Sequence, residues 1–202
     1  KKKGKLMCKF SEDSRQKLGN AVIYIANHTE QLSKTKLLKL LFLMEEYMVK
    51  RYHVPFMGLP FEIWQAGPVA KDIFIDLSDG PFLLKDFVKT EVQKDATYIR
   101  AIKPFCDDEF SDCEMEMMDE IIRKYGKKTA KQLVAEVHKE GSLWFNAAKK
   151  HGLLTAFNKG LCNNSDYTID FSEELSDCAR EDYKESLAIH QTANILKAQG
   201  YV

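Results

Sequence analysis

The sequence predicts a single domain of the α+β class, mainly α, built around one buried central helix with a short strand and one β-hairpin. Three observations support this prediction. Within residues 37–44 only Lys39 is polar, and apolar side chains on every side are typical of a helix inside a domain. Residues 61–64 alternate as a short strand does. Residues 86–92 and 97–102 alternate well enough to pair as a hairpin.

The first half of the chain is predicted to begin with two helices. The first covers about 14–28, where apolar residues recur along one helical face. The central helix follows over about 33–51 and starts at Ser33, a favourable N-cap. Pro55 and the segment 58–60, Gly-Leu-Pro, end its regular pattern.

A strand and a turn are predicted to connect the central helix to a third helix. Trp64 lies in the strand 61–64, three residues before the pair Gly67 and Pro68. Proline is tolerated in the first turn of a helix, because its missing N–H would have no partner there. The sequence therefore predicts that the third helix starts at this pair and continues to about Leu77.

Capping signals place the helices of the second half. Ser111 with Glu114 and Thr129 with Gln132 have the spacing of capping boxes. A further short helix is predicted after Ser142. A small strand over 167–171 and a terminal helix over about 177–199 complete the chain, and the apolar positions of that helix predict that it packs on the rest.

Length and composition predict one domain with extensions. We expect a flexible basic segment over 1–12, a folded domain over 13–152, and a C-terminal loop and helix over 153–202 packed on it. The 30 basic and 30 acidic residues cancel, so net charge favours neither nucleic acid nor membrane as a partner. No apolar run is long enough for a bilayer and no signal peptide is recognised. With five scattered cysteines and no Cys-x-x-Cys pair, these features predict a cytoplasmic protein with reduced thiols.

The sequence does not predict an enzyme, a metal site or a cofactor. No nucleophile motif surrounds any Ser or Cys, and the cysteines and histidines lack the spacing of metal ligands. His138 is therefore interpreted as a helix-end residue, where an imidazolium interacts favourably with the helix dipole.

Residues 129–150 offer an alternative function. Two predicted helices joined by a turn are similar to a helix-turn-helix, and the hairpin could serve as its wing, which would make the protein a DNA-binding transcriptional regulator. However, Leu143, Trp144 and Phe145 place bulky apolar groups where polar side chains should read bases. Packing is therefore the favoured interpretation of this segment, and nucleic acid is not the favoured partner.

Several short motifs occur in a fixed order along the chain. They are Tyr24-Ile25-Ala26, the Lys-Thr-Lys-Leu-x-Lys-Leu-Leu-Phe run at 34–42, Gly58 before an aromatic-rich strand, Trp-x-x-Gly-Pro-Val at 64–69, and His-x-x-x-Ser-x-Trp at 138–144. The ordered set, over roughly residues 15–150, resembles the SocA-like Panacea domain, a family of bacterial and phage antitoxin-related proteins. On this resemblance, 13–152 is the Panacea-like domain.

The resemblance implies an antitoxin that binds and neutralises a cognate protein toxin, or an adaptor that hands the toxin to a cytosolic protease. Neither role requires chemistry by this chain. We expect the partner-binding residues where the motifs coincide with aromatic and basic side chains. They are Lys34, Lys36, Lys39, Trp64, Gly67, Pro68, Val69 and Lys71.

Each of these residues also has a structural interpretation. The lysines could be solvated stems that snorkel beside a core helix, Gly67 and Pro68 could redirect the chain, and Trp64 could pack inside. His138 and Trp144 are expected to be a structural signature.

Overall fold

The structure, a computed structural model, describes residues 10–78, 80–94 and 96–201 of the 202-residue chain. Eight helices and two antiparallel hairpins lie within these ranges, which confirms the predicted α+β, mainly α class. The helices are α1 Glu12–His28, α2 Lys34–Tyr52, α3 Lys71–Ser78, α4 Asp112–Tyr125, α5 Ala130–Val137, α6 Leu143–Lys150, α7 Leu153–Asn158 and α8 Asp177–Ala198. The strands are β1 Glu62–Trp64, β2 Gly67–Val69, β3 Val88–Gln93 and β4 Ala96–Ala101.

Helix α2 is the centre of the fold, as predicted. Every residue of 37–44 is buried, including Lys39, and the helix packs against α3, α4, α5, β2 and β4. The Ser33 hydroxyl accepts a hydrogen bond from the Lys36 N–H at the start of the helix. At its end, His53 adopts a left-handed conformation with φ 56°, which stops the helix. The remaining elements therefore surround α2.

The predicted helix start at Gly67 and Pro68 is wrong. These residues form strand β2, which pairs with β1 in the register Trp64 to Gly67, and α3 begins only at Lys71. Gly67 has φ 96°, a conformation outside the helical region that glycine reaches easily. Pro68 fits a short two-stranded hairpin, where a missing N–H is tolerated. The predicted single strand is thus one half of a hairpin.

The C-terminal segment contacts the free edge of β1. The Ile63 N–H donates to the Tyr167 carbonyl (2.9 Å), and the Ile169 N–H donates to the Phe61 carbonyl (2.8 Å). Thr168 forms an isolated bridge with Glu62. The small strand predicted over 167–171 is therefore this bridge.

The second hairpin, β3 and β4, confirms the prediction over 86–102. Its register pairs Val88 with Ala101 and Gln93 with Ala96. Lys94 lies in its connection, and Asp95 is outside the described residues. Strand β4 packs on α1 and α2.

The predicted caps are confirmed, whereas the C-terminal part of the chain differs from the prediction in two respects. Both capping boxes form, at the starts of α4 and α5. Helix α7 was not predicted. In α8, Ala179 and Tyr183 are buried, whereas Ile189 and Ile195 are largely exposed, so only part of the helix packs as expected.

Near the N-terminus, Ser11 caps α1 and Asn194 of α8 accepts hydrogen bonds from the Ser11 N–H and the Ser14 hydroxyl, both 2.8 Å. Residues 1–9 of the predicted basic segment, including Cys8, lie outside the described residues. The other four cysteines are free thiols: Cys106, Cys113, Cys162 and Cys178.

Candidate functional site

A continuous surface, here called the Trp64 face, joins three of the predicted residues and two others. Its members are Lys34, Glu62, Trp64, Lys71 and Phe74. The Trp64 and Phe74 rings meet edge to face at 5.0 Å, and Lys34 Nζ lies 3.9 Å from the centre of the Phe74 ring. All five side chains are half-buried, so each keeps part of its surface available to a partner.

Glu62 holds the other half of the Trp64 face together. One carboxylate oxygen accepts a hydrogen bond from Trp64 Nε1 at 2.9 Å, and the other lies 3.1 Å from Lys71 Nζ. Lys71 Nζ also donates to Asp166 at 2.9 Å. Hydrogen bonds to Asp166 and then to Glu62 raise the pKa of Lys71, so this cation is fixed beside the indole. The arrangement presents aromatic surface with Lys34 on one side and, on the other, Lys71 with its charge balanced by Glu62 and Asp166.

Lys39 lies underneath this face and is 1% exposed. Its ammonium donates to the Pro68 carbonyl at 2.8 Å. Burial lowers the pKa of Lys39 from 10.5 to about 7, because a charged amine loses its hydration there and gains only a neutral carbonyl acceptor in return. The side chain therefore links the middle of α2 to the β1–β2 hairpin.

The contact between Lys39 and the hairpin requires a glycine at position 67. A Cβ on Gly67 would lie 2.8 Å from Lys39 Cε and 3.1 Å from Val137 Cγ2. Both the close approach and the positive φ thus favour glycine. The Gly-Pro pair is best explained as the place where hairpin, α2 and α5 meet.

His138 and Trp144 extend the same buried support. Their rings stack at 3.8 Å with an interplanar angle of 14°, and Trp144 Nε1 donates to the Trp64 carbonyl at 3.1 Å. His138 occupies the C-cap position of α5, as predicted. However, burial first and the nearby Lys39 second lower its pKa to about 4, so the ring is neutral and the predicted imidazolium is wrong. Its Nε2 is buried without a hydrogen-bond partner among the described residues.

Lys36 lies on the opposite side of α2 from Lys34 and is 5% exposed. Its ammonium donates to the Gly126 carbonyl at 2.6 Å and to the Glu30 carbonyl at 3.2 Å. Gly126 is the C-cap of α4, so Lys36 places a positive charge at the negative end of that helix.

The structure therefore divides the predicted partner-binding residues. Lys34, Trp64 and Lys71 lie on the Trp64 face. Five others are buried and offer almost no surface to a protein partner of the folded chain: Lys36, Lys39, Gly67, Pro68 and Val69. The idea that the stems of Lys36 and Lys39 snorkel to solvent is also wrong, because both ammonium groups are bound by backbone carbonyls.

Sequence reasoning missed Glu62, Phe74 and Glu45. Glu62 is two residues before Trp64 on the strand, and Phe74 is one helical turn after Lys71, so same-face spacing could have identified both. Glu45 is buried in α2, where its carboxylate accepts hydrogen bonds from the N–H groups of Phe56, Met57 and Gly58 at 2.9 to 3.2 Å. Burial outweighs these bonds and raises its pKa to about 7.

The geometry does not favour the helix-turn-helix interpretation. Leu143 and Trp144 are buried in the packing of α6, and the hairpin proposed as a wing packs on α1 and α2. On the outer side of α6, Lys150 pairs with Glu173 at 2.5 Å. A base-reading surface would need the residues in the positions of Leu143 and Trp144 to be exposed and polar.

Two other kinds of site can be compared with the described residues. No group of three or more His, Cys, Asp or Glu side chains there is placed to hold a metal ion. In the same residues, no helix has both the length and the apolar content needed to cross a bilayer.

Comparison with known proteins gives one positive finding. Residues 37–145 match the family model of the antitoxin SocA-like Panacea domain. No curated protein and no solved structure matches the chain. The matched segment contains all of α2 after its first three residues, both hairpins and the start of α6, and hence every residue of the Trp64 face except Lys34. Because the match spans more than half of the 202 residues, the chain belongs to the antitoxin SocA-like Panacea domain family.

Proposed function

We propose that this protein is an antitoxin that binds a cognate protein toxin through the Trp64 face and thereby neutralises it. The observation that carries the proposal is the convergence of Lys34, Trp64 and Lys71, which are distant in sequence, through Phe74 and Glu62. Family membership supports a protein partner. The arrangement needs no catalytic group in this chain.

The chemistry of the face indicates what the toxin should present. Covering the exposed parts of the Trp64 and Phe74 rings would remove apolar surface from water, and tryptophan is enriched among residues that dominate binding energy. At the rim, the pairing of Lys71 with Glu62 and Asp166 favours a partner that presents polar and charged groups around the apolar contact, and such groups fix the orientation of the complex. Ile75, which is 39% exposed, follows Phe74 on α3 and lies one helical turn after Lys71, so it adds an apolar side chain on the side of Lys71.

The buried layer below the face supports this role by making the face rigid. Lys39 and Trp144 each donate a hydrogen bond to a carbonyl of the β1–β2 hairpin. A pre-formed surface loses less conformational entropy on binding than a mobile one. The buried signature residues thus act on binding indirectly, through the shape of the hairpin.

Co-expression with the product of the adjacent gene tests the proposal. We expect the wild-type chain to restore growth, and Trp64→Ala and Lys71→Glu to lose this rescue, since removing a central tryptophan costs about 2 kcal/mol or more of binding free energy. Lys149→Glu, which reverses an exposed charge on α6, is the matched control and should rescue fully. Circular dichroism must show that all variants are folded. Full rescue by both face variants would refute the proposed surface.

The toxin's lifetime in the same cells distinguishes two modes of neutralisation. If the complex alone blocks the toxin, the antitoxin leaves the lifetime of the toxin unchanged. If the chain is an adaptor, the toxin decays faster through a cytosolic protease, and Trp64→Ala restores its lifetime. Rescue that persists without any complex in a pull-down contradicts both modes.

A further inference from the structure

An open cleft of about 710 Å³ lies beside Lys36, and none of the residues of the Trp64 face lines it. It is formed by the loop after α1, the N-terminal turn of α2 and the connection between α4 and α5. The lining includes three lysines and a histidine, and the lysines come from two different parts of the chain: Lys36, Lys127, Lys128 and His28. The volume is in the range of small-molecule sites, about 300–1,000 Å³.

The charges around this cleft are unequal. Lys127 is exposed and has no carboxylate partner among the described residues. Lys128 shares its charge with Glu136 at 2.8 Å. Glu30 is the one carboxylate among the lining residues. Lys36 and Lys127 therefore leave an excess of positive charge in the cleft.

Lys36 places a buried cation at the wall of the cleft. Its two hydrogen-bond acceptors are the neutral carbonyls of Gly126 and Glu30, and an ammonium has a third N–H to donate. Burial lowers the pKa of Lys36, an effect opposed by the charge of Glu30. A bound anion would offset the lost hydration of this ammonium, which the two carbonyls do only in part.

The start of α5 adds donors to the same wall, and His28 lies beside it. Thr129, the N-cap of α5, and Ala130, its first residue, both line the cleft, where the helix has its positive end. His28 Nδ1 lies 2.8 Å from the Tyr24 carbonyl, which can only accept, so Nδ1 carries the hydrogen and this bond fixes the ring at the edge of the cleft. These groups come from three segments and surround one space.

We propose that this cleft binds the diphosphate or triphosphate group of a phosphorylated small molecule. Lys36 has one N–H left to donate, Lys127 has no carboxylate partner among the described residues, and the N-terminus of α5 lines the same cleft. These groups suit a ligand with more than one anionic oxygen group, and lysine is a common point-charge binder of phosphate. This site is separate from the Trp64 face, so it stands or fails independently of the antitoxin proposal.

Inorganic pyrophosphate is the probe, titrated into the full chain by calorimetry at low salt, where charge interactions are least screened. Four exposed substitutions form two matched pairs. Lys127→Gln should raise the Kd about threefold or more, and Glu30→Gln, which removes the opposing carboxylate, should lower it by a similar factor. Lys149→Gln and Glu140→Gln change the same charges outside the cleft and should leave the Kd within about 1.5-fold.

Amide NMR spectra provide a second measurement that does not depend on any variant. Pyrophosphate should shift the resonances of residues 127–130 and leave those of α6 in place. The proposal is overturned if pyrophosphate at about 1 mM gives neither heat nor shifts, or if the two control variants change the Kd as much as the cleft variants do. Tighter binding of a single-stranded oligonucleotide through Lys127 would also overturn it, in favour of a nucleic-acid site.

Discussion

Lys39→Met gives the sharpest test of the buried layer under the Trp64 face. Methionine keeps a similar length and removes both the ammonium and its hydrogen bond to the Pro68 carbonyl. The lost bond should cost about 1–2 kcal/mol of unfolding free energy at any pH, because the carbonyl stays buried. Removing the buried charge should raise the free energy of unfolding, but only at pH values at which the wild-type amine is protonated in the folded state.

The pH dependence follows from the direction of the pKa shift. The folded pKa of Lys39 is lowered to about 7 from 10.5, so between these values the unfolded chain binds more protons than the folded one. Wild-type stability therefore rises with pH through this window, by at most about 1.4 kcal/mol per pH unit from this group. Between about pH 6 and about pH 9 the variant should lose roughly 3 kcal/mol relative to wild type.

Urea unfolding at these two pH values measures the difference, and other titrating groups cancel when the variant is compared with wild type. Lys149→Met removes an exposed lysine and should change stability by less than about 0.5 kcal/mol at either pH. An equal effect of Lys39→Met at both pH values would refute the reasoning, since it would mean that the buried amine has the same charge throughout.

Three further predictions concern the same interior. In urea titrations, Gly67→Ala should have a free energy of unfolding about 1–3 kcal/mol lower than Gly141→Ala. Both positions have positive φ, but only an alanine at 67 would place its Cβ against Lys39. Glu45→Ala should destabilise by about 2–4 kcal/mol, since it leaves three N–H groups without their acceptor, and proteolysis should then cut first near 56–58. His138→Phe keeps the ring stack and removes a buried unpaired nitrogen, so stability at neutral pH should hold or rise. Between pH 6.5 and about 4, where only the unfolded histidine of the wild type binds a proton, the free energy of unfolding of the variant should fall less steeply with decreasing pH than that of the wild type. A variant that is less stable than the wild type at neutral pH would contradict this.

Local patterns account for most of the fold that could be predicted. The capping boxes at Ser111 and Thr129 and the apolar run of α2 depend on residues a few positions apart, and all three predictions are confirmed. Alternation likewise identified the β3–β4 hairpin. Such signals work because helix and strand periods act within one element.

The Gly-Pro pair shows where local reasoning fails. Proline near a glycine is compatible with a helix start or with a turn, and the sequence favoured the first. What decides between them is the hairpin's packing on α2, where Lys39 needs the Pro68 carbonyl and the space above Gly67. That contact joins residues 29 positions apart, so no local pattern contains it.

The sequence by itself determined most of the helices, the buried centre and the family, because these depend on periodicity, caps and short motifs. Only the tertiary structure decided the state of each motif lysine: Lys34 on the surface, Lys36 at the end of α4 and Lys39 under the hairpin. The physical reason is that hydration loss and hydrogen-bond partners depend on what packs around a side chain. For these lysines, the groups that surround them come from distant parts of the chain.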